Sequence, residues 1–258
     1  MASLGRMSCF LFRSARQVSP RKLLSSTARV ESNKVAMVLS GCGVYDGSEI
    51  VEASACWIHL SRANCDVNFF APDVDQMHVV DHVTGQPVEG EQRNVVSESG
   101  RIARGVVHPL SQIDDSSYDA LVFPGGFGAA KNLSSFAVDG DQMNVNADVE
   151  RAIKMYHDAR KPIGLCCISP VLVAKVLPGC SVTVGHNTEE DGKWPYASTA
   201  EAIDKMGSQH VVKDLNEAHI DEKNLIVTSP AFMCNAKPHE IYESVGAMIT
   251  ALMALIKK

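Results

Sequence analysis

Short apolar runs alternate with segments of helical periodicity along most of the chain. Residues 34–40 predict a buried strand, and residues 47–61 carry apolar side chains at helical spacing. Such alternation is typical of an α/β protein with a doubly wound, mostly parallel sheet and helices on both faces. The same pattern predicts further strands at 66–70, 119–123, 162–166, 181–184, 211–212 and 225–228, and further helices at 149–160, 170–177 and 239–256.

Two stretches interrupt this pattern. Residues 76–111 are too long for an ordinary loop, so we expect them to form small elements of their own, a hairpin among them, and to cover one end of the sheet. Residues 186–196 are polar and irregular and end in Trp194-Pro195-Tyr196.

The first thirty residues differ in composition from the rest of the chain. They contain six arginines and lysines and six serines, whereas the first acidic residue is Glu31. This composition is typical of a mitochondrial transit peptide, and a basic tail without a targeting role is the alternative. The predicted organisation is therefore a transit peptide over 1–30 and a single α/β domain over 31–258, located in the mitochondrial matrix.

Charge and cysteine content narrow the choice of partners. Subtracting the six positive charges of residues 1–30 from the formal net charge of −6 leaves −12, which argues against binding to nucleic acid or anionic lipid. No run approaches the ~20 apolar residues of a membrane span. The eight cysteines have neither a Cys-x-x-Cys pair nor a zinc-site spacing, so we expect free thiols, no metal and no cofactor.

Cys166 and Cys167 lie where a predicted strand runs into a predicted helix. The positive end of a helix stabilises a thiolate, which is the nucleophilic and oxidisable form of cysteine. Free cysteines are also commonly small buried hydrophobes, and position alone does not separate the two interpretations. Sites in doubly wound sheets form at the carboxyl ends of the strands, where this pair is predicted to lie.

Two glycine-rich segments end at the same predicted edge of the sheet. Residues 41–43, Gly-Cys-Gly, lack the remaining residues of a nucleotide-binding loop. Gly125 and Gly126 would let backbone N–H groups approach a substrate oxygen, which suits an oxyanion hole. A simple strand-ending turn would have the same sequence.

Three motifs resemble those of a known superfamily. They are SGCGVYDG at 40–47, PGGFGAAKNL at 124–133 and the Cys-x-x-Pro elbow at 167–170. They resemble the class I glutamine-amidotransferase-like superfamily, in the branch of the PfpI proteases and the parkinsonism-associated deglycase. The resemblance is closer still to the enhancing-lycopene-biosynthesis proteins of bacteria and their mitochondrial relatives. It spans nearly everything after residue 30 and implies a flavodoxin-like fold.

The resemblance also assigns roles to individual residues. It places the nucleophile on Cys167, the acidic partner of that cysteine on Glu49, and the backbone oxyanion donors on Gly126 and Ile168. A histidine near the nucleophile falls on His186, a position where bacterial relatives can lack histidine. Relatives are often dimers, which implies a homodimer here.

Departures from the superfamily pattern argue against two of its reactions. Class I amidotransferases have glycine two residues after the cysteine and a late His-x-Glu pair, whereas this chain has Ser169 and His219-Ile220-Asp221. PfpI proteases have histidine directly after the cysteine, where Ile168 stands here. We therefore expect neither glutaminase nor protease activity, and we expect residues 186–196 to cover the pocket.

The assigned residues suit two kinds of function. A buried, protonated Glu49 would donate a hydrogen bond to a Cys167 thiolate, which would add to a small 2-oxoaldehyde and yield a 2-hydroxy acid. Gly126 and Ile168 would hold the oxygen, and Glu49 or His186 would move the proton. Alternatively, Cys167 is an oxidation site, and the chain regulates mitochondrial state or shape through a protein partner. A scaffold without catalytic activity is the third interpretation.

Overall fold

A seven-stranded sheet forms the centre of this computed structural model, which describes residues 32–256. Two short two-stranded sheets accompany it in that part of the chain. The strands are β1 (Lys34–Val38), β2 (Asp66–Ala71), β3 (Val80–Asp81), β4 (Gln86–Pro87), β5 (His108–Pro109), β6 (Ala120–Phe123), β7 (Ile163–Cys166), β8 (Ser181–Val182), β9 (Gln209–His210), β10 (His219–Asp221) and β11 (Ile226–Ser229).

Helices make most of the connections between these strands. The α-helices are α1 (Ile50–Arg62), α2 (Val95–Ala103), α3 (Phe127–Lys131), α4 (Phe136–Asp139), α5 (Ala147–Asp158), α6 (Pro170–Val176), α7 (Thr199–Lys205) and α8 (Pro238–Leu255). Single 3-10 turns lie at Leu110–Gln112, Gly140–Gln142 and Ala231–Met233.

The large sheet has the strand order β10-β11-β7-β6-β1-β2-β5. All of its strand pairs are parallel except β10 with β11. Every residue of β6, β7 and β11 is buried, because helices cover both faces of a parallel sheet. Helices α1 and α8 pack against each other, and α8 also packs against β7 and β11, whereas α5 packs against β6, β7 and α6. The predicted flavodoxin-like, doubly wound α/β fold is confirmed.

Several short elements differ from the prediction, among them α3 and α4, which were not predicted. The strand predicted at 181–184 is shorter and lies outside the large sheet, where β8 pairs with β9 just before the predicted strand at 211–212. Strand β10 was not predicted, because its three residues are largely polar and lie at the sheet edge. Helix α7 was not predicted either, because it has only seven residues.

The long segment at 76–111 forms small elements, as predicted. It contains the β3–β4 hairpin, helix α2 and strand β5, which pairs with β2 at the edge of the large sheet. The predicted transit peptide at 1–30 lies outside the described residues. Within residues 32–256, no helix combines the length and the apolar character that are needed to cross a membrane.

Candidate active site

Cys167 occupies a sharp turn between β7 and α6. Its φ is 59°, in the left-handed region that strains a residue with a side chain. Its N–H donates to the Ser229 carbonyl at 3.1 Å, and the Ser169 hydroxyl donates to the Pro124 carbonyl. These contacts tie the turn to the neighbouring strands, so the Cys167 side chain is held at the carboxyl edge of the sheet.

The two glycine-rich segments lie against each other at this edge. The N–H of Glu49 donates to the Gly125 carbonyl, and the N–H of Gly128 donates to the Gly47 carbonyl, both at 2.9 Å. A Cβ added at Gly126 would lie only 2.3 Å from the Glu49 nitrogen. The glycines of both motifs therefore permit an approach of two backbones that side chains would prevent.

The carboxyl group in contact with the Cys167 thiol belongs to Glu52, which is fully buried in α1. Its Oε1 accepts a hydrogen bond from the Phe232 N–H at 3.0 Å. Its Oε2 lies beside Cys167 and Gly125 and has no partner of ordinary hydrogen-bond geometry in the described part of the chain. Burial and, to a smaller extent, the charge of nearby Glu49 together raise the pKa of Glu52 to about 8. A neutral Glu52 with its proton on Oε2 would face the sulfur.

The contact between the thiol and the carboxyl group requires glycine at position 125. A Cβ added at Gly125 would lie 2.3 Å from the Cys167 Cβ, 2.5 Å from the Glu52 Oε2 and 2.9 Å from the Cys167 Sγ. Any side chain at this position would therefore occupy the space that the sulfur and the carboxyl oxygen share.

The protonation of the thiol is under opposing influences. Burial raises the pKa of Cys167, and a charged Glu52 beside it acts in the same direction. The N–H groups of Gly126 and Ile168 point at the sulfur and lower its pKa, but burial has the larger effect. The expectation that the helix terminus by itself stabilises a thiolate is thus corrected. A neutral Glu52 removes the repulsion and offers a proton to the sulfur, so the two groups titrate as a pair.

A cavity of about 330 Å³ opens at the sulfur. This volume is at the lower end of the range for small-molecule sites. Its walls are largely apolar and aromatic, and they include Tyr45, Glu49, Phe127, Cys167, Tyr196 and Met233.

Four of the predicted site residues, Cys167, Glu49, Gly126 and Ile168, line this cavity together. The predicted pairing of Glu49 with the cysteine is corrected, however, because the carboxyl group against the thiol is that of Glu52. Glu49 is the N-cap of α1, and its Oε2 accepts a hydrogen bond from the Glu52 N–H at 2.7 Å.

A sequence signal for Glu52 was present. Glu52, Cys56 and Leu60 follow one another at intervals of four residues, and all three are buried on the inner face of α1. An acidic residue on the apolar face of a helix is rarely buried without a function.

His186 is not among the residues that line the cavity, so its predicted place near the nucleophile is corrected. Its ring stacks on Trp194 with 4.5 Å between ring centroids. Its nitrogens contact the carboxylates of Glu190 and Asp214, the second at 2.9 Å. These contacts anchor the segment at 186–196, whose last residue, Tyr196, lines the cavity.

The remaining cysteines have no arrangement that suggests a metal site. Cys166 is fully buried beside Cys56, and this contact and burial raise its pKa well above the ordinary value. All seven cysteines in the described residues are free thiols. No group of three or more histidine, cysteine and acidic side chains in that part of the chain is placed to hold a metal ion.

The parallel sheet with a strained cysteine elbow at its carboxyl edge defines an amidotransferase-like α/β protein. Residues 34–232 match the model of the DJ-1/PfpI family, and the chain belongs to this family, which confirms the resemblance inferred from its motifs. It is 58% identical to the Homo sapiens glutamine amidotransferase-like class 1 domain-containing protein 3, mitochondrial, over 94% of this chain and 91% of that protein. It is 57% identical to the Rattus norvegicus ES1 protein homolog, mitochondrial, with the same coverage.

Two solved structures show the same fold. An isoprenoid biosynthesis protein with an amidotransferase-like domain from Ehrlichia chaffeensis has a TM-score of 0.77 and 37% identity, and the match covers 88% of this chain and 100% of that one. Glyoxalase III from Candida albicans has a TM-score of 0.53 and 14% identity, over 85% of this chain and 97% of that one. The second likeness concerns the fold alone.

Replacing Glu52 by glutamine should weaken the dependence of stability on pH. Folded Glu52 keeps its proton up to about pH 8, whereas an unfolded glutamate loses it near pH 4.5. The wild-type chain should therefore lose stability as the pH rises through this window. Between about pH 5 and pH 8, we expect Glu52→Gln to gain ~2 kcal/mol or more relative to the wild type in the free energy of unfolding, measured by urea denaturation.

The matched control is Glu222→Gln, since Glu222 is exposed. This variant should follow the wild type at every pH. If the free energies of unfolding of the wild type and Glu52→Gln change with pH in parallel, Glu52 ionises normally in the folded protein.

Proposed function

We propose that Cys167 is a nucleophile that converts small 2-oxoaldehydes to 2-hydroxy acids without a cofactor. The groups that surround the Cys167 sulfur support this proposal most strongly. The sulfur lines a cavity of about 330 Å³, two N–H groups point at it, and a buried carboxyl group contacts it. These are the parts that nucleophilic addition to a carbonyl requires.

In the first step, the Cys167 thiolate attacks the aldehyde carbon. A C–S bond forms, and the π electrons of the carbonyl move to its oxygen. The N–H groups of Gly126 and Ile168 stabilise this oxyanion, which takes up a proton and becomes a hemithioacetal. Glu52 keeps its proton on the oxygen beside the sulfur and stabilises the thiolate before the attack.

In the second step, a base removes the C–H proton of the former aldehyde carbon, and a proton is added to the neighbouring carbon. The hydroxyl proton of the hemithioacetal passes to the neighbouring carbonyl oxygen, so that the C–OH group becomes the thioester carbonyl and the ketone becomes an alcohol. Glu49 is the candidate base, because it is among the residues that line the cavity, whereas His186 is not. The resulting thioester is hydrolysed by water, which releases the 2-hydroxy acid and the thiol. One carbon is oxidised while its neighbour is reduced, so the net change is the addition of water.

Turnover of methylglyoxal by the full chain tests this proposal, with lactate measured by NMR. We expect Cys167→Ala to abolish lactate formation and Cys166→Ala to retain it. Loss of the general base in Glu49→Gln should lower kcat by about 10²-fold or more.

Glu222→Gln serves again as the control for an exposed glutamate and should turn over like the wild type. Lactate formation by Cys167→Ala at the wild-type rate, or none by the wild type, would contradict the proposed reaction.

A second candidate function is the sensing of oxidants, and the unpartnered Oε2 of Glu52 favours it. A Cys167 thiolate would attack hydrogen peroxide so that an S–O bond forms, the O–O bond breaks and water is released. A second peroxide would convert the sulfenic acid to a sulfinic acid in the same way. The N–H groups of Gly126 and Ile168 and a protonated Glu52 would bind the new oxygens, and a protein partner would recognise the oxidised form.

Site-resolved mass spectrometry after treatment with peroxide tests this second function. We expect Cys167 to gain two oxygen atoms faster than Cys65, which is half-exposed and lines neither the Cys167 cavity nor its neighbour. Glu52→Leu, which removes the hydrogen-bond donor beside the sulfur, should slow the gain at Cys167 and leave that at Cys65 unchanged. Faster oxidation of Cys65 in the wild type would exclude a sensing role for Cys167.

We also infer a location in the mitochondrial matrix. The basic, acid-poor composition of residues 1–30 supports it, as do the names of the mitochondrial relatives. Import of the full chain into isolated mitochondria should shorten it near residue 30 and leave it protected from protease after the outer membrane is opened. Replacing the arginines of residues 1–30 by glutamine should prevent import, and equal import of this variant would contradict the inference.

A further inference from the structure

A second cavity, of about 650 Å³, adjoins the cavity of Cys167. The two cavities share four lining residues, namely Tyr45, Phe127, Ile168 and Tyr196. They therefore lie side by side, and three aromatic side chains stand at their boundary. The other walls of the larger cavity come mainly from the β3–β4 hairpin, from α3 and α4 and from α7.

The combined space is large for the substrate of the proposed reaction. A three-carbon aldehyde would leave most of it to water, each molecule of which takes up roughly 30 Å³. Cavities of this size commonly hold molecules with many more atoms. An aromatic boundary that separates a reactive sulfur from a larger cavity suits a substrate that extends through both.

Lys131 provides the larger cavity with an available positive charge. The other lysine in its wall, Lys205, is paired with Glu201 at 2.8 Å. Lys131 forms no salt bridge in the described residues. Burial lowers its pKa, the charge of Asp46 opposes this effect, and Asp141 also lines the cavity. The Nζ of Lys131 donates to the Tyr45 carbonyl at 2.8 Å and lies 5.6 Å from the centroid of the Phe127 ring.

An ammonium group has three hydrogens to donate, and the Tyr45 carbonyl accepts one. Lys131 is half-buried, so its charge is only partly compensated by water. Both of its contacts, Tyr45 and Phe127, stand at the boundary of the two cavities. An anionic group that has just passed this boundary would therefore meet the ammonium group.

We propose that the reactive carbonyl reaches Cys167 on a longer molecule, whose remainder lies in the larger cavity and whose carboxylate or phosphate group pairs with Lys131. This inference rests on the proposed reaction for the carbonyl, and on the geometry of the two cavities for the length and the charge of the substrate. Tyr45, Phe127 and Tyr196 then contact the part that joins the two ends.

Alkylation of Cys167 in the full chain tests this inference without requiring turnover. The probes are iodoacetamide itself and iodoacetamides that carry a hexyl, a hexanoate or a hexyl phosphate chain. Each forms a C–S bond with loss of iodide. Peptide mass spectrometry gives the rate at Cys167, and the rate at Cys65 in the same sample corrects for the intrinsic reactivity of each probe.

After this correction, we expect at least one charged long probe to react with Cys167 about tenfold faster than iodoacetamide. A preference for hexanoate would identify a carboxylate substrate, and a preference for hexyl phosphate would identify a phosphate substrate. If no long probe reacts faster than iodoacetamide, the larger cavity does not hold the substrate. If the hexyl probe reacts as fast as both charged probes, the anionic group is excluded.

Two variants separate the cavity from the charge. Lys131→Met should reduce the advantage of the charged probes over the hexyl probe about three- to fivefold, whereas Lys154→Met, at an exposed lysine of α5, should not. Ala202→Trp should fill the larger cavity and reduce the ratio of long-probe to short-probe rates, whereas Ala254→Trp, on the exposed face of α8, should leave this ratio unchanged. No change in Lys131→Met, or none in Ala202→Trp, would overturn the corresponding part of the inference.

The outcomes also separate this inference from the proposed reaction. If the chain prefers the charged long probes but turns over no 2-oxoaldehyde, the second cavity is supported as a binding site and the proposed reaction is contradicted. If the chain turns over methylglyoxal but shows no preference among the probes, the proposed reaction is supported and this inference is contradicted.

Discussion

The contact of the Cys167 thiol with the buried Glu52 carboxyl group depends on a backbone approach that only glycine permits. Gly125 leaves the space that the sulfur and the carboxyl oxygen share, and Gly126 lets its strand-ending turn lie against residues 47–49, just before α1. This approach joins β6, β7 and α1 at the carboxyl edge of the sheet. Packing between the two segments therefore accounts for these glycines.

The burial of the Glu52 carboxyl group affects both the stability of the fold and the ionisation of Cys167. A carboxyl group with a pKa of about 8 is kept neutral at the expense of stability at higher pH. The same neutrality allows it to stand beside a sulfur whose own ionisation burial opposes. Because a charged Glu52 raises the pKa of Cys167, a thiolate at this site requires that Glu52 keep its proton. The strained backbone of Cys167 belongs to the same arrangement, because neighbouring strands hold the turn in place.

The sequence predicted the fold well wherever an element was long and apolar. Strands β1, β2, β6, β7 and β11 and helices α1, α5, α6 and α8 lie within a few residues of their predicted bounds, because burial on both faces leaves a continuous apolar run. The short polar elements were missed, since a strand such as β10 is stabilised by its pairing with β11 and not by its own composition.

The sequence by itself determined the class of fold, the cysteine elbow and the glycine segments, since these depend on local periodicity and on backbone conformations that few residues adopt. Only the tertiary structure decided which carboxyl group meets the sulfur. Glu49 and Glu52 are three residues apart, and the start of α1 turns the first toward its own N–H groups and the second toward the sheet. The tertiary structure likewise placed His186 in the anchor of a loop and joined two cavities across Tyr45, Phe127 and Tyr196. These relations join residues far apart in the chain, and their geometry depends on how the helices and loops pack around the sheet.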